Sequence, residues 1–258
     1  MKVSIIQTQL HWEDPDKNLQ MFDSILSKLG TSDLVILPEM FTTGFTMNTK
    51  VSEPFSSTSK TISWMRLWAE KLDASVVGSI SCSESGKHFN RLIFAKPDNT
   101  FDYYDKRHLF THAKEHQHYT PGQKRIIQRF RGWNVLPLIC YDLRFPVWSR
   151  WSKENNYDLL IYVANWPQSR STHWKTLLQA RAIENQSWVI GCNRVGVDGL
   201  GNTYSGDSMV ISPKGEIFWH ESNIDSVGTI EIDSEYLKQY RSDFSSLSDS
   251  DQFTIEVF

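Results

Sequence analysis

Long hydrophobic runs, clustered cysteines and a marked excess of one charge are all missing from this 258-residue sequence. No apolar stretch approaches the roughly 20 residues that cross a bilayer as a helix. The opening segment Met1-Lys2-Val3-Ser4-Ile5-Ile6-Gln7 is too short in apolar residues to form the core of a secretion signal, so the expected location is the cytoplasm, with no membrane contact. Three cysteines, Cys82, Cys140 and Cys192, make an odd count without a C-x-x-C pair, which argues against a disulfide framework and against a zinc knuckle. Lys and Arg number 27 against 30 Asp and Glu, a net charge of -3 with no basic cluster to neutralise phosphates, so nucleic acid is not an expected partner. Charged residues are 22% and hydrophobic residues 40%, which excludes a disordered or collagen-like chain and supplies material for a sizeable core. No internal repeat or low-complexity tract divides the chain, and one domain over residues 1–258 is expected.

Short apolar runs alternate with helical stretches, which predicts an α/β fold. Val3–Gln7 reads as a first strand. Asp14-Pro15 then opens a helix that runs to Leu29, where Gly30 stops it. Leu34–Leu37 is a second strand cut by Pro38, and Ser59–Leu72 is an amphipathic helix leading to a strand over Ser75–Ile80. Four runs, Arg91–Ala95, Phe101–Asp105, Ile126–Phe130 and Asn134–Cys140, are β-like and joined by turns, which predicts antiparallel pairing. Strand Leu159–Ala164, a helix from Thr172 to Gln186, and strands Trp188–Cys192, Ser208–Ile211, Glu216–Trp219 and Gly228–Ile232 complete the pattern. The connection from His108 to Lys124 is long for a compact domain, a common mark of a functional loop. Residues 242–258 form a tail whose Ser/Asp-rich part, Ser242–Asp251, reads as exposed surface or a docking arm.

Cys140 stands where an apolar strand ends and the chain turns into Tyr141-Asp142-Leu143-Arg144. Such a turn exposes the side chain and offers the following backbone N–H groups to a developing oxyanion, so the place suits a nucleophile. Cys82 and Cys192 have no such setting and read as core residues. A thiol nucleophile needs a base. The histidines His108, His112, His116, His118 and His173 are open but unspecific candidates, and their spacing matches no metal site. A carboxylate in an enclosed site serves equally, with a lysine to receive the anion. Glu39 follows the second strand directly in L-P-E-M-F, and Lys106 follows Phe101–Asp105 directly in Y-D-K-R-H-L-F. Three polar groups thus sit at three strand ends, where α/β sheets collect their sites. Taken singly, each is better explained by an ordinary role, Glu39 and Lys106 at the surface and Cys140 in the core.

In this order, L-P-E-M-F, Y-D-K-R-H-L-F and L-I-C-Y-D-L-R-F-P resemble the nitrilase (carbon–nitrogen hydrolase) superfamily. The likeness extends from Gln7-Thr8-Gln9 to Gly215-Glu216 and takes in A-N-W-P at 164–167, H-W at 173–174 and R-A-I-E-N-Q at 181–186; within the superfamily it is nearest the omega-amidases. The resemblance implies a four-layer α-β-β-α sandwich and a Glu-Lys-Cys triad. By position Glu39 matches the general base, Lys106 the transition-state lysine, Cys140 the nucleophile and Glu115 the family's second glutamate. The implied reaction releases ammonia from a small omega-amide of a 2-oxo dicarboxylic acid, such as 2-oxoglutaramate or 2-oxosuccinamate, through a thioester, with water and no metal or organic cofactor. A homodimer or larger homo-oligomer is implied as well.

Lys106 and the Tyr141 N–H are the expected oxyanion donors, and Phe41, Trp166 and Arg170 the expected substrate contacts, with Arg170 offering a guanidinium to a substrate carboxylate. Arg144 reads as an ion pair that holds the nucleophile turn, and Arg181 and Glu184 as helix-face or interface charges. Trp148 and Trp151 read as core by default, or as subunit interface. Two other readings remain: a superfamily hydrolase acting on a nitrile, carbamoyl compound or acylated amine, and a non-catalytic binding protein in which Cys140 is merely buried. A nucleotide-dependent ligase is disfavoured, since no Gly-rich phosphate loop is present.

Overall fold

A computed structural model describes residues 1–251 and 253–256. In the first half of the chain, β1 (Lys2–Gln7), α1 (Pro15–Leu26), β2 (Leu34–Ile36), β3 (Glu53–Pro54), α2 (Lys60–Leu72), β4 (Ser75–Glu84), β5 (Lys87–Ala95) and β6 (Phe101–Asp105) follow one another. The second half contributes β7 (Gln128–Phe130), β8 (Trp133–Ile139), α3 (Pro146–Ser149), β9 (Leu159–Ala164), α4 (Ser171–Asn185), β10 (Trp188–Asn193), β11 (Val195–Val197), β12 (Thr203–Ile211), β13 (Ile217–Ser222), β14 (Ser226–Glu231) and α5 (Ser234–Asp243). The strands form two mixed sheets, in the orders β14-β1-β2-β4-β5-β6 and β11-β12-β10-β9-β8-β7, the first taking β14 from the second half of the chain, with β3 on β4 and β13 on β12.

Strand alternation decides the layering. Val3, Ile5, Leu34, Ile36, Val77, Leu92 and Phe94 face the second sheet and share one core with Val135, Leu138, Ile161 and Ile190. Their neighbours Ile6, Val35, Val76 and Ile93 point the other way, onto Leu19, Phe22 and Leu26 of α1 and Ile62, Met65 and Ala69 of α2. On the far side, Trp174, Leu178 and Ala182 of α4 cover the second sheet. A Cβ on Gly191 would stand 2.5 Å from Leu178 Cδ1 and 2.7 Å from Trp174 Cζ2, so a glycine in β10 is what lets α4 lie so close. The result is an α-β-β-α sandwich. The parallel pairs β1/β2, β2/β4, β8/β9 and β9/β10 bring the C-terminal ends of their strands to one edge. β6 pairs antiparallel with β5, itself antiparallel to β4, so β6 ends at that edge too.

Several boundaries differ from the sequence reading for local reasons. The α1 helix is capped by the Asp14 side chain, which accepts from Lys17 N at 3.1 Å, but it stops at Leu26; the chain tightens from there to Leu29 through a Leu29 N–H to Leu26 C=O bond rather than continuing to Gly30. The short strand β11 and helix α5 were not foreseen. β11 is three residues long, and α5 has only Leu237 buried, so neither carries much apolar periodicity. The tail segment is partly docked: Ser246–Asp249 forms one 3-10 turn with Leu247 buried, while residues 252, 257 and 258 lie outside the described residues. Trp148 is core, donating its Nε1–H to the Tyr104 hydroxyl at 2.9 Å. No helix of the described residues is long and apolar enough to cross a membrane.

Candidate active site

A cavity of about 300 Å³ opens at the shared edge of the strands. Its lining includes Glu39, just beyond β2, Lys106, just beyond β6, and Cys140, just beyond β8, together with Asn165 and Trp166 beyond β9. Four strand ends therefore supply its floor. Glu39 and Lys106 are almost wholly buried, at 0% and 1% exposure, which makes the surface reading of either one untenable.

One ammonium stands at hydrogen-bond distance from two carboxylates. Lys106 Nζ donates to Glu39 Oε1 at 2.8 Å and to Glu115 Oε2 and Oε1 at 2.9 and 3.1 Å. Asn90, on β5, donates its Nδ2 to Glu39 Oε1 at 2.8 Å and to Glu115 Oε1 at 3.2 Å, and the Asn165 N–H donates to Glu39 Oε2 at 2.8 Å. The Phe110 N–H completes Glu115 at 2.6 Å. Each buried carboxylate is thus hydrogen-bonded at both oxygens, which the desolvation of two anions demands. Burial pulls the pKa of Lys106 down, but the adjacent Glu115 and Glu39 carboxylates outweigh it and hold the ammonium above its ordinary pKa. Burial raises Glu115, against the opposing pull of Lys106. Burial first, then the negative charge of Glu39, pushes the Cys140 thiol well above its ordinary range, with Lys106 opposing. The resting thiol is therefore neutral.

Local geometry explains how each group is aimed. Cys140 takes a left-handed φ of 43° between β8 and a one-turn 3-10 helix over Cys140–Arg144, a conformation that costs a residue with a Cβ about 1–3 kcal/mol unless its surroundings enforce it. Asp142, fully buried, does the enforcing. It accepts from Ile139 N at 3.1 Å in its own turn, and from the Tyr104 hydroxyl at 2.8 Å, His108 N at 3.0 Å and His108 Nδ1 at 2.8 Å on the lysine side, so one carboxylate clamps the Cys140 turn to the Lys106 segment. Arg181 is buried rather than a face charge, and its Nη2 donates to Leu143 C=O at 2.7 Å, pinning the same turn from α4. On the other side, Met40 takes φ 42° and bonds its N–H to Ser79 Oγ at 2.9 Å, while Phe41 N–H bonds Ser79 C=O at 3.0 Å.

Phe41 is a correction to the sequence reading. Its ring points away from the cavity into the helical layer, 5.4 Å from Phe22 and 5.8 Å from Trp64, and it rests on Gly78, where any Cβ would meet its Cδ1 at 2.9 Å. Alternation alone would keep residue 41 on the side of Glu39, but the left-handed backbone at Met40, φ 42°, turns the side chain to the opposite side of the sheet. Phe45 and Met47 occupy the wall expected of it. Phe41→Ala is accordingly expected to lower stability by about 3–5 kcal/mol, read by denaturant unfolding, without discriminating between charged and neutral substrates in KM.

Trp166 and Arg170 do line the cavity; Trp166 Nε1 donates to Arg170 C=O at 2.8 Å, and the Arg170 guanidinium lies 5.3 Å from the Phe110 ring centre. Arg144 is there too, not in an ion pair with Asp142: its guanidinium sits 4.7 Å over the Trp166 ring, and its Nη2 is 3.0 Å from His173 Nδ1. Tyr141 also lines the cavity, its amide at the start of the 3-10 turn, where the first N–H groups have no partner within the turn. Leu200, Asn202 and Tyr204, from the loop between β11 and β12 and the start of β12, form the rim. Sequence reasoning missed them, although Asp198-Gly199-Leu200-Gly201-Asn202 carries turn chemistry, and Asp198 does accept from Leu200 N and Asn202 N at 2.9 Å each. It also missed Asn90 and Asp142, whose signal was a polar side chain beside a buried apolar run. Among the described residues His112 is the one histidine that lines the cavity, and Cys82 and Cys192 are buried, with burial pushing Cys82 to about 12. Among the described residues no group of three or more His, Cys, Asp or Glu side chains stands ready for a metal ion.

Fold and cavity together define a class, the thiol-bearing α-β-β-α sandwich hydrolases that cleave carbon–nitrogen bonds other than peptide bonds. The chain belongs to the carbon–nitrogen hydrolase family, whose profile matches residues 2–242. It is 45% identical to Omega-amidase YafV of Escherichia coli K12 over 99% of this chain and 98% of that protein. It is 30% identical to the 2-oxoglutaramate amidase of Bacillus subtilis over 93% of each. Among solved structures, XC1258 of Xanthomonas campestris, a CN-hydrolase superfamily protein with an arsenic adduct in its active site, superposes with a TM-score of 0.96 at 40% identity, covering 99% of both chains.

Proposed function

We propose that this hydrolase is an omega-amidase, releasing ammonia from a small amide that carries a carboxylate at its far end, of the 2-oxoglutaramate or 2-oxosuccinamate kind. One observation supports the reading above others. Two half-buried guanidiniums, Arg144 and Arg170, stand on the wall of the cavity that holds Cys140, and neither is paired with a carboxylate among the described residues. The names of the Escherichia coli and Bacillus subtilis relatives point the same way.

In the reaction, Cys140 Sγ attacks the amide carbon as its proton passes to Glu39. That transfer leaves the net charge of the buried cluster unchanged: one ammonium and two carboxylates become one ammonium, one carboxylate, one carboxylic acid and the new oxyanion. Protonation of Glu39 also frees a Lys106 N–H to turn to that oxyanion, with the Tyr141 N–H as second donor; each such donor is worth roughly 3–4 kcal/mol. The C–N bond then breaks, Glu39 hands its proton to the departing nitrogen, and ammonia leaves a thioester on Cys140. Glu39 next takes a proton from water as it attacks the thioester; the C–S bond breaks, Glu39 returns the proton to Cys140 Sγ, and the carboxylic acid departs. Glu115 does not line the cavity; it holds Lys106 charged and aimed.

A screen of ammonia release tests the reading, using 2-oxoglutaramate, succinamate, butyramide and the matching nitriles. Omega-amidase action requires turnover of the carboxylated amides well above butyramide; preference for butyramide or a nitrile would contradict it. Charge-assisted hydrogen bonds of about 1.5–3 kcal/mol translate into a KM for succinamate raised roughly 10- to 100-fold in Arg144→Ala and Arg170→Ala. The KM for butyramide should stay level; equal effects on both substrates would assign the arginines to cavity shape.

We also propose a cytoplasmic homo-oligomer. Three free thiols suit a reducing compartment. Val147, Ile183 and Phe244 are exposed apolar side chains, and the segments that carry them are tied together where Arg150 Nη1 bonds Glu184 C=O at 2.7 Å and Gln186 Nε2 bonds Phe244 C=O at 2.6 Å. Sedimentation velocity would show a dimer or larger species; a monomer at micromolar concentration would contradict it.

A further inference from the structure

Asn165 is placed twice against the base and still has an atom to spare. Its N–H donates to Glu39 Oε2 at 2.8 Å, and its Nδ2 donates to the Glu39 backbone C=O at 2.5 Å. The second bond fixes the orientation of the side-chain amide, because a flipped group would set two oxygens against each other. Oδ1 is thereby committed as an acceptor. Asn165 is 4% exposed and lines the cavity, yet its Oδ1 is buried with no hydrogen-bond partner among the described residues. A buried carbonyl oxygen left unpaired costs about 1–3 kcal/mol, so its persistence here calls for a donor that arrives with the ligand.

We propose that Asn165 Oδ1 accepts a hydrogen bond from the leaving nitrogen of the substrate and so makes the site selective for amides over esters and other acyl compounds of the same shape. The inference rests on the amidase reading. With the carbonyl oxygen toward Lys106 and the Tyr141 amide, the substrate nitrogen falls on the Glu39 side, where Asn165 stands. Of the two N–H bonds of a primary amide, one hydrogen bonds Oδ1. In the tetrahedral adduct the Sγ–C bond has formed and the thiol proton is on Glu39. As that proton moves to nitrogen, the nitrogen gains positive charge, and the electron pair of the breaking C–N bond leaves with ammonia. An acceptor dipole aimed at that nitrogen strengthens as the charge grows, which is the condition for catalysis rather than mere binding. An ester oxygen has no hydrogen to offer, so an ester gains nothing from Oδ1 and sets two acceptors face to face.

The test compares succinamate with monomethyl succinate, which present the same acyl group and the same carboxylate. Asn165→Ala also loses the bond to the Glu39 carbonyl, so a general loosening of the base would lower both rates together. The readout is therefore the ratio of kcat/KM for amide over ester. That ratio should fall roughly 100-fold or more in Asn165→Ala, the order of magnitude expected for removal of one transition-state hydrogen bond. Asn165→Ser, a smaller excision that withdraws the acceptor, provides a second variant and should lower the ratio in the same direction. Alkylation of Cys140 by iodoacetamide and the unfolding midpoint identify the folded preparations. An unchanged ratio in a folded variant would overturn the assignment, as would a ratio that rises. Ammonia release by the wild-type chain bears on the amidase reading separately: wild type without it contradicts that reading, whereas normal wild-type turnover with an unmoved ratio contradicts only the role of Asn165.

Discussion

Replacing Cys140 by alanine is expected to abolish ammonia release, a fall on the order of 10⁴-fold or more, while the folded structure persists. The size of the effect follows from the absence of a substitute nucleophile in the cluster: Glu39 and Glu115 are tied at both oxygens, Lys106 is held protonated between them, and Cys82 and Cys192 are buried. The small cost in stability follows from the same geometry. Cys140 is 9% exposed and its thiol carries no charge, so its removal takes away one apolar-sized group, on the order of 1 kcal/mol, and leaves every carboxylate paired. Cys140→Ser should be nearly as inactive, since a hydroxyl is a far weaker acid for the same base. Circular dichroism and ammonia release, measured on one preparation, check both halves of the expectation.

Lys106→Met is the opposite case, with large losses in both activity and stability. Among the described residues the lysine is the only cation bonded to these two buried carboxylates, and its removal leaves them facing each other through Asn90 alone. Breaking a buried ion pair from one side costs about 3–5 kcal/mol, and loss of an oxyanion donor about 10²–10³ in rate. The pH dependence has a definite sign. In the wild type Lys106 has a folded pKa above its unfolded one, so the stability it contributes is complete below the unfolded value and persists through neutral pH. Glu115 is raised in the fold, and without the opposing ammonium it rises further. A carboxyl with a raised folded pKa is most favourable to folding below its unfolded pKa and loses that contribution as pH climbs through the folded value. The deficit of Lys106→Met should therefore be largest at neutral and alkaline pH and shrink toward pH 4, as Glu115 protonates. Urea midpoints across that range would show it, and a deficit independent of pH would indicate that the carboxylates are not the cause.

Strand ends were the legible part of this sequence. Pro38, the polar step from Asp105 to Lys106 and the turn after Ile139 each mark where an apolar run stops, and that sufficed to locate Glu39, Lys106 and Cys140 on one edge of the sheets. Side-chain direction beyond a strand end was not legible. Phe41 follows Glu39 by two residues, but the left-handed turn at Met40 breaks the simple alternation and sends the ring to the helices. Arg144 reads from the sequence as an ion pair within the nucleophile turn, whereas the one carboxylate of that turn, Asp142, accepts from Ile139, Tyr104 and His108 and leaves the arginine to the cavity. Long-range partners such as Asn90 and Asn165 become visible only when two sheets are stacked, because their hydrogen bonds to Glu39 span 51 and 126 residues of chain.

The account turns on a covalent step at one sulfur. Mixing the enzyme with succinamate, quenching in acid within the first turnovers and mapping peptides by mass spectrometry should reveal a succinyl group on the Cys140 peptide, formed at the rate of the first ammonia release and lost to water afterward. Steady ammonia release with Cys140 unmodified at every time point, or the acyl group found on any other residue, would contradict it.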